Sequence, residues 1–299
     1  MVSFFEDGFY RPGPLHRLVS YALLPISALY CGIASVQKAL APLQMPPLPA
    51  ISIGNIVVGG TGKTPLLISL AKRFERVAVV TKGYGRKSVG TFVVSEWGQI
   101  SCDVDRSGDE AMMMAKALPQ ASVIVCDDRM EGAELAKNLG ARALFFDDAF
   151  HAPIKKLDLV IDKPTPNIFC LPSGPYRLPR AFLRSADMVL KEGVHFWRRT
   201  QILNPTNKMV LLAAIADPRR LDPYLPKIVA RYHFKDHHHF QEDELERIWR
   251  KHRPTSFLVT AKDAVKLERF SYPLSILDLR VEVAEDLVQR VQEYISKGA

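Results

Sequence analysis

The fold of this chain is decided by the stretch Ile51-Ser52-Ile53-Gly54-Asn55-Ile56-Val57-Val58-Gly59-Gly60-Thr61-Gly62-Lys63-Thr64-Pro65. An apolar, strand-like run leads into a glycine-rich turn, and a helix is predicted to begin near Lys63. Glycines allow successive backbone N–H groups to point at one place, where a polyphosphate binds. The N-terminus of the following helix adds partial positive charge at the same place. The pattern therefore predicts a phosphate-binding loop in a nucleotide-binding protein.

The side chains of this loop have separate expected roles. Lys63 is expected to contact the β- and γ-phosphates of ATP, and the Thr64 hydroxyl is expected to bind Mg²⁺. The predicted nucleotide contacts are Gly59, Gly60, Thr61, Gly62, Lys63, Thr64 and Pro65. The strict loop pattern has a further glycine where Val57 stands, so an ordinary glycine-rich turn is the alternative.

Composition and charge narrow the class of protein. With 299 residues, 47% of them hydrophobic and 24% charged, the chain is suited to folding around a buried core. A formal net charge of +8 favours an anionic partner, such as a nucleotide, a nucleic acid or an acidic membrane surface. The four cysteines contain no Cys-x-x-Cys pair, which argues against a zinc site or a disulfide framework and fits a reducing cytoplasm.

An apolar segment without formal charge runs from Leu18 to Val36 and reaches the length threshold for spanning a bilayer. Because Pro25 and Gly32 interrupt it, we expect a helix that lies in the membrane interface. The flanking residues expected to contact head groups or anionic lipids are Tyr10, Tyr21, Tyr30, Arg11, Arg17 and Lys38. A helix buried against the protein's own core and a true span are the alternatives. The opening Phe4-Phe5-Glu6-Asp7 is unlike the basic start of a secretory signal.

Strand-like and helix-like segments alternate from Ala50 onward. Predicted strands cover 50–57, 77–81, 122–127, 143–148 and 157–162, and predicted helices cover 63–74, 109–118 and 130–139. Apolar strands separated by helices predict an α/β fold of the P-loop NTPase type, with a doubly wound, mostly parallel sheet. A second series, with strands at 209–215, 228–234, 256–260 and 276–283, predicts a smaller C-terminal α/β lobe with helices at 242–252 and from 285. The expected organisation is an N-terminal membrane-associated helix (1–41), a P-loop core (42–198) and the smaller lobe (199–299).

A nucleotide site also needs a carboxylate for Mg²⁺, normally at the end of an apolar strand. Three places qualify: Asp127-Asp128, Asp147-Asp148 and Asp162. Aspartates at strand ends are also common turn residues and helix caps, so the pattern alone leaves this choice open.

Seven short motifs occur in one order along the chain: Gly59-Gly60-Thr61-Gly62-Lys63-Thr64-Pro65, Lys82-Gly83-Tyr84-Gly85-Arg86, Gly108-Asp109-Glu110, Asp147-Asp148-x-Phe150, Leu171-Pro172-x-Gly174-Pro175-x-Arg177, Asp236-His237-His238 and Thr260-x-Lys262-Asp263. Together they closely resemble the tetraacyldisaccharide 4′-kinases of lipid A synthesis, over nearly the whole chain. The resemblance implies a kinase at the cytoplasmic face of the bacterial inner membrane, peripheral or monotopic through its N-terminal helix. It implies transfer of the γ-phosphate of ATP, with Mg²⁺, to the 4′-hydroxyl of a tetraacylated glucosamine disaccharide 1-phosphate. The product is the lipid IVA-type precursor of lipid A, and no nucleic acid or obligate protein partner is expected.

The resemblance also implies site roles. Asp109 is the expected general base, paired with His237, while Lys63 and Arg129 are expected near the transferred phosphate. Asp147 and Asp148 become the expected carboxylates for Mg²⁺, together with Thr64. Tyr84 and Arg86, in a glycine-flanked loop at a strand end, are expected to contact the lipid-sugar acceptor or phosphate, and Arg177 is expected to contact the acceptor. Lys262, which follows the strand 256–260, is expected to hold the nucleotide base or ribose. On spacing alone, Asp109 reads as a helix cap, Arg129 as a solvated surface arginine, and Tyr84 and Arg86 as parts of a simple turn.

The chain departs from the family pattern at three positions. Ala149 stands where the family usually has glycine, His151 where it has glutamine, and Leu178 where it has glutamate. These departures predict a divergent member with an altered metal neighbourhood.

Three other functions compete with the kinase. A membrane-associated P-loop ATPase that acts as an interaction switch would carry a signature lysine where Val58 stands. A GTPase would carry Asn-Lys-x-Asp, of which Thr260-Ala261-Lys262-Asp263 is an imperfect match. Nucleic-acid binding, which the basic charge also allows, finds no recognisable module in the sequence.

Overall fold

The computed structural model describes residues 7–215 and 217–298, so Phe4, Phe5 and Glu6 of the opening segment lie outside the described residues. The helices are α1 (Pro14–Ala22), α2 (Leu24–Leu40), α3 (Lys63–Ala71), α4 (Val104–Ser107), α5 (Asp109–Ala117), α6 (Arg129–Asn138), α7 (Glu242–His252), α8 (Ala261–Leu267) and α9 (Glu285–Lys297). The strands are β1 (Ala50–Asn55), β2 (Val77–Thr81), β3 (Phe92–Glu96), β4 (Gln99–Ile100), β5 (Ser122–Val125), β6 (Ala143–Asp147), β7 (Leu157–Ile161), β8 (Met188–Leu190), β9 (Phe196–Leu203), β10 (Met209–Ala213), β11 (Ala230–His233), β12 (Ser256–Thr260) and β13 (Leu274–Val283). Short 3-10 helices cover Arg180–Ser185 and Pro218–Tyr224.

The larger sheet has eight strands in the order β4-β3-β5-β2-β6-β1-β7-β8. Six neighbouring strands of this sheet pair in parallel, namely β5, β2, β6, β1, β7 and β8. Strands β3 and β4 extend the sheet with antiparallel pairs. Every residue of β1, β2, β5 and β6 is buried, as expected for parallel strands covered on both faces. The prediction of a doubly wound, mostly parallel sheet is confirmed. Strand β1 lies between β6 and β7, so the phosphate-binding loop leaves the middle of the sheet.

The smaller sheet has five strands in the order β11-β10-β12-β13-β9, all parallel except β9. The two sheets share a core, because Phe196 of β9 and Val281 of β13 belong to the same buried cluster as Ile51 and Leu66. The expected division between residues 198 and 199 falls inside β9. We therefore propose that the chain is organised around these two sheets rather than divided at residue 198.

The apolar N-terminal segment forms two helices, α1 and α2, which meet at a bend of 60°. Among the described residues, no single helix has the length and apolarity needed to cross a membrane; this bent pair passes by length and composition only. The large apolar side chains that the pair leaves exposed are Leu15, Leu18, Ile26, Leu29, Ile33, Val36 and Leu40. The pair therefore packs one side on the protein, where Tyr30, Cys31 and Ala34 contact a buried cluster, and leaves an apolar face exposed. The expectation of one continuous helix was wrong.

Three of the flanking residues expected at the lipid surface face the protein instead. Lys38 Nζ donates to the Phe150 carbonyl oxygen at 2.5 Å, and the Tyr10 hydroxyl donates to the Val58 carbonyl oxygen. Tyr30 packs against a buried cluster that contains Phe150. Tyr21 remains 59% exposed, and Arg11 and Arg17 are exposed.

The predicted strands and helices agree with the structure to within a few residues at each end, and α7 and β12 have the predicted bounds. The prediction missed β3, β4, β8, β9, α4 and α8. The missed strand β9 is an edge strand in which partly buried and exposed positions mostly alternate, so it carries no continuous apolar run.

Candidate active site

A cleft of about 1990 Å³ brings most of the expected site residues together. It lies along the carboxyl ends of strands in both sheets, where ligands of doubly wound folds bind. From the larger sheet it is lined by the phosphate-binding loop, Tyr84, Arg129, Asp147, Asp148 and Arg177. From the smaller-sheet side it is lined by Arg198, Arg220, Asp236, His237 and Lys262.

The phosphate-binding loop is shaped by two glycines and one buried asparagine. Gly59 and Gly62 have φ angles of 82° and 84°, a left-handed backbone that favours glycine. The fully buried Asn55 ends β1, and its amide group donates to Thr61 Oγ1 at 2.8 Å. Lys63 Nζ donates to Asn55 Oδ1 at 3.3 Å, so one side chain ties the two ends of the loop together.

Asp148 forms the charged floor of the cleft beneath the loop. Arg177 donates two hydrogen bonds of 3.1 Å each to the Asp148 carboxylate, and Lys63 Nζ lies 3.5 Å from Oδ2. Burial opposes ionisation, but the charges of Lys63 and Arg177 hold the pKa of this carboxyl below its usual value. Asp148 also has a positive φ of 49°, which is uncommon outside glycine and is found at functional sites.

Asp147 differs from its neighbour because its charge is poorly compensated. The side chain is 6% exposed, and Oδ1 has no hydrogen-bond partner among the described residues. Burial and the nearby charges of Glu110 and Asp148 raise its pKa to about 7. A cation at this place would supply the missing partner. No group of three metal-binding side chains occurs in the described part of the chain, but Mg²⁺ often takes one or two carboxylates and completes its shell with phosphates and water.

Arg129 holds the backbone of this acidic pair. Its Nη2 donates to the carbonyl oxygens of Asp147 and Asp148 at 3.1 and 3.0 Å. The guanidinium lines the cleft and is largely buried, which lowers its pKa. The alternative of a solvated surface arginine is therefore excluded.

The expected acid–base pair is assembled from both sheets. Asp109 begins α5, and both of its carboxylate oxygens lie 3.0 Å from Nδ1 of His237. The carboxylate makes no capping hydrogen bond, so the simple helix-cap interpretation does not account for it. His237 has a φ of 59°, and the Asp236 carboxylate accepts its backbone N–H at 3.1 Å. His237 lines the cleft, whereas Asp109, 5% exposed, lies directly behind it.

Lysines surround this pair and lower the pKa of its carboxyl group. Lys262 Nζ lies 3.3 Å from Nε2 of His237 and within 4.0 Å of Glu110, Asp236 and Asp109. Burial would raise the pKa of Asp109, but the His237 hydrogen bond and the charges of Lys262 and Lys266 lower it overall. Because the Lys262 ammonium can only donate, Nε2 of His237 must accept its hydrogen bond. A neutral imidazole therefore carries its proton on Nδ1, which donates a hydrogen bond to Asp109. Lys262 thus lies beside the dyad, and its expected contact with the nucleotide base or ribose stays a prediction.

The neighbouring histidines have other partners. His238 Nε2 contacts Glu244 at 2.9 Å, and His239 Nδ1 lies 3.3 Å from Asp105. The three consecutive side chains therefore do not converge on one metal.

The residues expected to contact the acceptor are in three different situations. Tyr84 is 72% exposed, and its ring lies 4.9 Å from that of His237. Arg177 lines the cleft but is engaged by Asp148. Arg86 is not among the cleft-lining residues: it pairs with Asp127 and donates to the Gly90 carbonyl oxygen at 2.8 Å. Arg86 thus stabilises the loop that carries Tyr84, which matches the simple-turn alternative.

Of the three departures from the family pattern, two pack in the apolar core and one borders the cleft. Ala149 and Leu178 are each 1% exposed and belong to buried apolar clusters. His151 borders the cleft, where burial and the charge of Arg177 lower its pKa to about 4. Leu178 thus places a buried apolar side chain where the family usually has a carboxylate, whereas His151 remains a neutral polar group at neutral pH.

The sequence did not predict two residues that line the cleft, Arg198 and Arg220, or the buried Asn55 behind the phosphate-binding loop. A polar residue at the end of an apolar strand was the available signal for Asn55. Arg198 lies 137 residues from its partner Thr61, so no local sequence pattern could predict this contact.

Comparisons with known proteins agree with this geometry. The family model described as "LpxK: Tetraacyldisaccharide-1-P 4'-kinase" matches residues 19–296. The chain is 41% identical over 295 residues to the tetraacyldisaccharide 4′-kinase of Helicobacter pylori strain HPAG1, covering 98% of this chain and 95% of that one. It is 40% identical over 293 residues to the enzyme of the same name from Aliarcobacter butzleri, covering 94% and 93%.

A solved structure shows the same fold. The "apo" form of LpxK from Aquifex aeolicus, in complex with ATP, superimposes with a TM-score of 0.77 at 27% identity. The match covers 93% of this chain and 99% of that chain.

Proposed function

This chain belongs to the tetraacyldisaccharide-1-P 4′-kinase family, and from that premise we propose how its cleft performs the family's reaction. The protein is an ATP-dependent kinase that phosphorylates the 4′-hydroxyl of a tetraacylated disaccharide 1-phosphate in lipid A synthesis. The observation that carries the proposal is the contact of Asp109 with His237 in the cleft that contains the phosphate-binding loop. The membrane-switch alternative is not favoured, because an ATPase switch does not require an acid–base dyad at this place.

The dyad receives the proton of the acceptor hydroxyl. As the 4′-oxygen bonds to the γ-phosphorus, the bond between that phosphorus and the bridging oxygen of ADP breaks. The hydroxyl proton passes to Nε2 of His237, where the incoming hydroxyl replaces the hydrogen bond from Lys262, while Nδ1 keeps its hydrogen bond to Asp109. Asp109 supplies the negative charge, and its lowered pKa keeps it ionised at neutral pH. Tyr84, exposed beside His237, is placed to contact the sugar.

The larger-sheet side of the cleft binds the triphosphate. The backbone N–H groups of residues 59–64 and the N-terminus of α3 provide the phosphate-binding donors, and Lys63 adds a full positive charge. Arg129 and Arg177 hold Asp147 and Asp148 in place beneath the loop.

Mg²⁺ fits the same region. The unpartnered Oδ1 of Asp147, together with Asp148 and the Thr64 hydroxyl, would hold it. When bound, the ion neutralises charge on the β- and γ-phosphates.

The exposed apolar face of α1 and α2 supports attachment to a membrane surface. Leu18, Leu29 and Ile33 are each more than half exposed, and Arg11 and Arg17 lie on the same segment. Such a face binds the boundary between head groups and acyl chains of an anionic bilayer. We place the protein at the cytoplasmic face of the inner membrane, where α2 borders the cleft with Tyr30, Ile33 and Lys38.

A transfer assay tests the function. Purified full-length protein in mild detergent is given γ-labelled ATP, Mg²⁺ and the tetraacyldisaccharide 1-phosphate, and the label is followed in the lipid. We expect transfer that is lost in Lys63→Ala and kept in Lys87→Ala, whose lysine pairs with Asp105 outside the cleft. ATP hydrolysis stimulated by anionic vesicles without lipid labelling would instead support the switch.

A further inference from the structure

Two arginines from the smaller-sheet side of the molecule reach the phosphate-binding loop. Arg198, on β9, donates Nη2 to the Thr61 carbonyl oxygen at 2.7 Å. Arg220, in the 3-10 helix Pro218–Tyr224, lies over Gly60 so closely that a Cβ there would be 2.5 Å from its Nη1. The absence of a side chain at Gly60 is therefore what lets this guanidinium approach the loop.

Arg220 is not committed to another partner. Within residues 7–215 and 217–298, its side chain makes no ion pair and no hydrogen bond. Its neighbour Arg219 is different, since it pairs with Asp7 and with Asp217 at 3.2 Å. Arg198 is only partly paired, with Glu192 at 3.4 Å, and its buried Nε has no hydrogen-bond partner in the part of the chain that the structure describes.

A third cation adds to this cluster, whose positive charge is only partly compensated by Asp217 and Glu192. Lys163 follows β7, and its ammonium lies 4.7 Å from the centre of the Tyr10 ring. Burial and the positive charges of Arg220 and Arg198 lower its pKa to about 8. Holding like charges together costs free energy, and a bound anion removes that cost.

We propose that Arg220 is a further phosphate-binding residue of this kinase, with Arg198 as the positioning residue that fixes the loop beneath it. The ligand is a phosphate oxyanion, recognised by a guanidinium that donates several N–H groups in a fixed plane. The inference rests on the proposed function of the loop. Two phosphates enter this cleft, the triphosphate of ATP and the 1-phosphate of the acceptor, and the experiment separates them.

The test compares Arg220→Ala and Arg220→Lys with Arg219→Ala as the matched control. Calorimetric titration of the full-length protein in detergent with ATP, ADP and AMP gives affinities, and the transfer assay gives KM for the lipid. If Arg220 binds the triphosphate, Arg220→Ala weakens ATP binding about tenfold or more and leaves AMP binding within about twofold. Arg220→Lys restores part of the loss, and Arg219→Ala has no effect. If Arg220 binds the 1-phosphate, ATP affinity stays and KM for the lipid rises, which also supports a phosphate site.

Two outcomes overturn the proposal. One is unchanged ATP affinity together with unchanged KM for the lipid in Arg220→Ala. The other is an equal loss of affinity for ATP and AMP, which indicates a disturbed loop rather than a lost phosphate contact. Wild-type transfer measured in parallel keeps this result separate from the proposed function: with normal transfer, either outcome removes only the role of Arg220.

Discussion

The two walls of the cleft are built in opposite ways. The wall from the larger sheet comes from neighbouring parallel strands, because Ile53 of β1 pairs with Asp147 of β6. The loop and the acidic pair therefore meet by strand order alone. The wall with the dyad joins residues 128 apart in the chain and from different sheets. The loop and the acidic pair thus come from one sheet, whereas the acid–base pair and the approach of Arg220 to Gly60 depend on how the two sheets pack.

The two walls are therefore expected to affect different quantities, nucleotide affinity and turnover. Groups on the larger-sheet wall contact phosphates in the ground state and are expected to affect nucleotide affinity. Groups of the dyad act on a proton that moves in the transition state and are expected to affect turnover alone.

The largest expected effect is on turnover in Asp109→Ala. Loss of a general base lowers a rate by about 10²- to 10⁴-fold, while ATP affinity should stay within about threefold because Asp109 lies behind His237 and does not line the cleft. Single-turnover label transfer and equilibrium nucleotide binding measure the two quantities. Asp105→Ala, which removes the partner of Lys87, is the control. Turnover near the wild-type rate would exclude Asp109 as the base.

A smaller effect, of a different kind, is expected in Lys63→Ala. Loss of a charged contact to phosphate should weaken ATP binding by roughly 10- to 100-fold, and turnover should fall as well. Titration with ATP and AMP measures the change, and AMP binding should be least affected. ATP affinity equal to that of the wild type would contradict the division between the walls.

The smallest effect concerns stability at the border of the larger-sheet wall. The pKa of His151 is lowered to about 4 by burial and by Arg177, against 6.5 for a free histidine. Between these values the unfolded chain binds more protons, so the free energy of unfolding decreases as the pH falls from 6.5 towards 4. The contribution is on the order of 2 kcal/mol.

His151→Gln, which installs the residue usual in the family, should flatten this dependence. Urea unfolding at pH 7.5 and pH 5 measures it, with the exposed His233→Gln as control. An equal loss of stability in wild type and His151→Gln would contradict the assigned pKa.

The same contrast explains what the sequence could predict. The loop of residues 59–65 and strand β1 are contiguous, so their apolar run and glycines predicted both the strand and the phosphate-binding turn. The pairing of Asp109 with His237 could be expected only from the family resemblance, since no periodicity links α5 to the turn after β11. The structure brings the two together.

Other contacts had no signal in the sequence. Cys31 and Cys170 are distant in the chain, yet their sulfur atoms lie 2.6 Å apart where α2 packs on the core. Lys38 faces Phe150 rather than lipid, because an apolar run does not show which side of a bent helix pair faces the protein. Arg220 reaches Gly60 only through the packing of the two sheets.

Asp109 and His237 are expected to act as one unit in proton transfer. A double-mutant cycle with Asp109→Asn, His237→Gln and the double variant, measured by single-turnover phosphate transfer, tests this coupling. The double variant should lose about as much activity as Asp109→Asn alone, because the unit is already broken. Losses that multiply would show that the two residues act independently and would contradict the dyad.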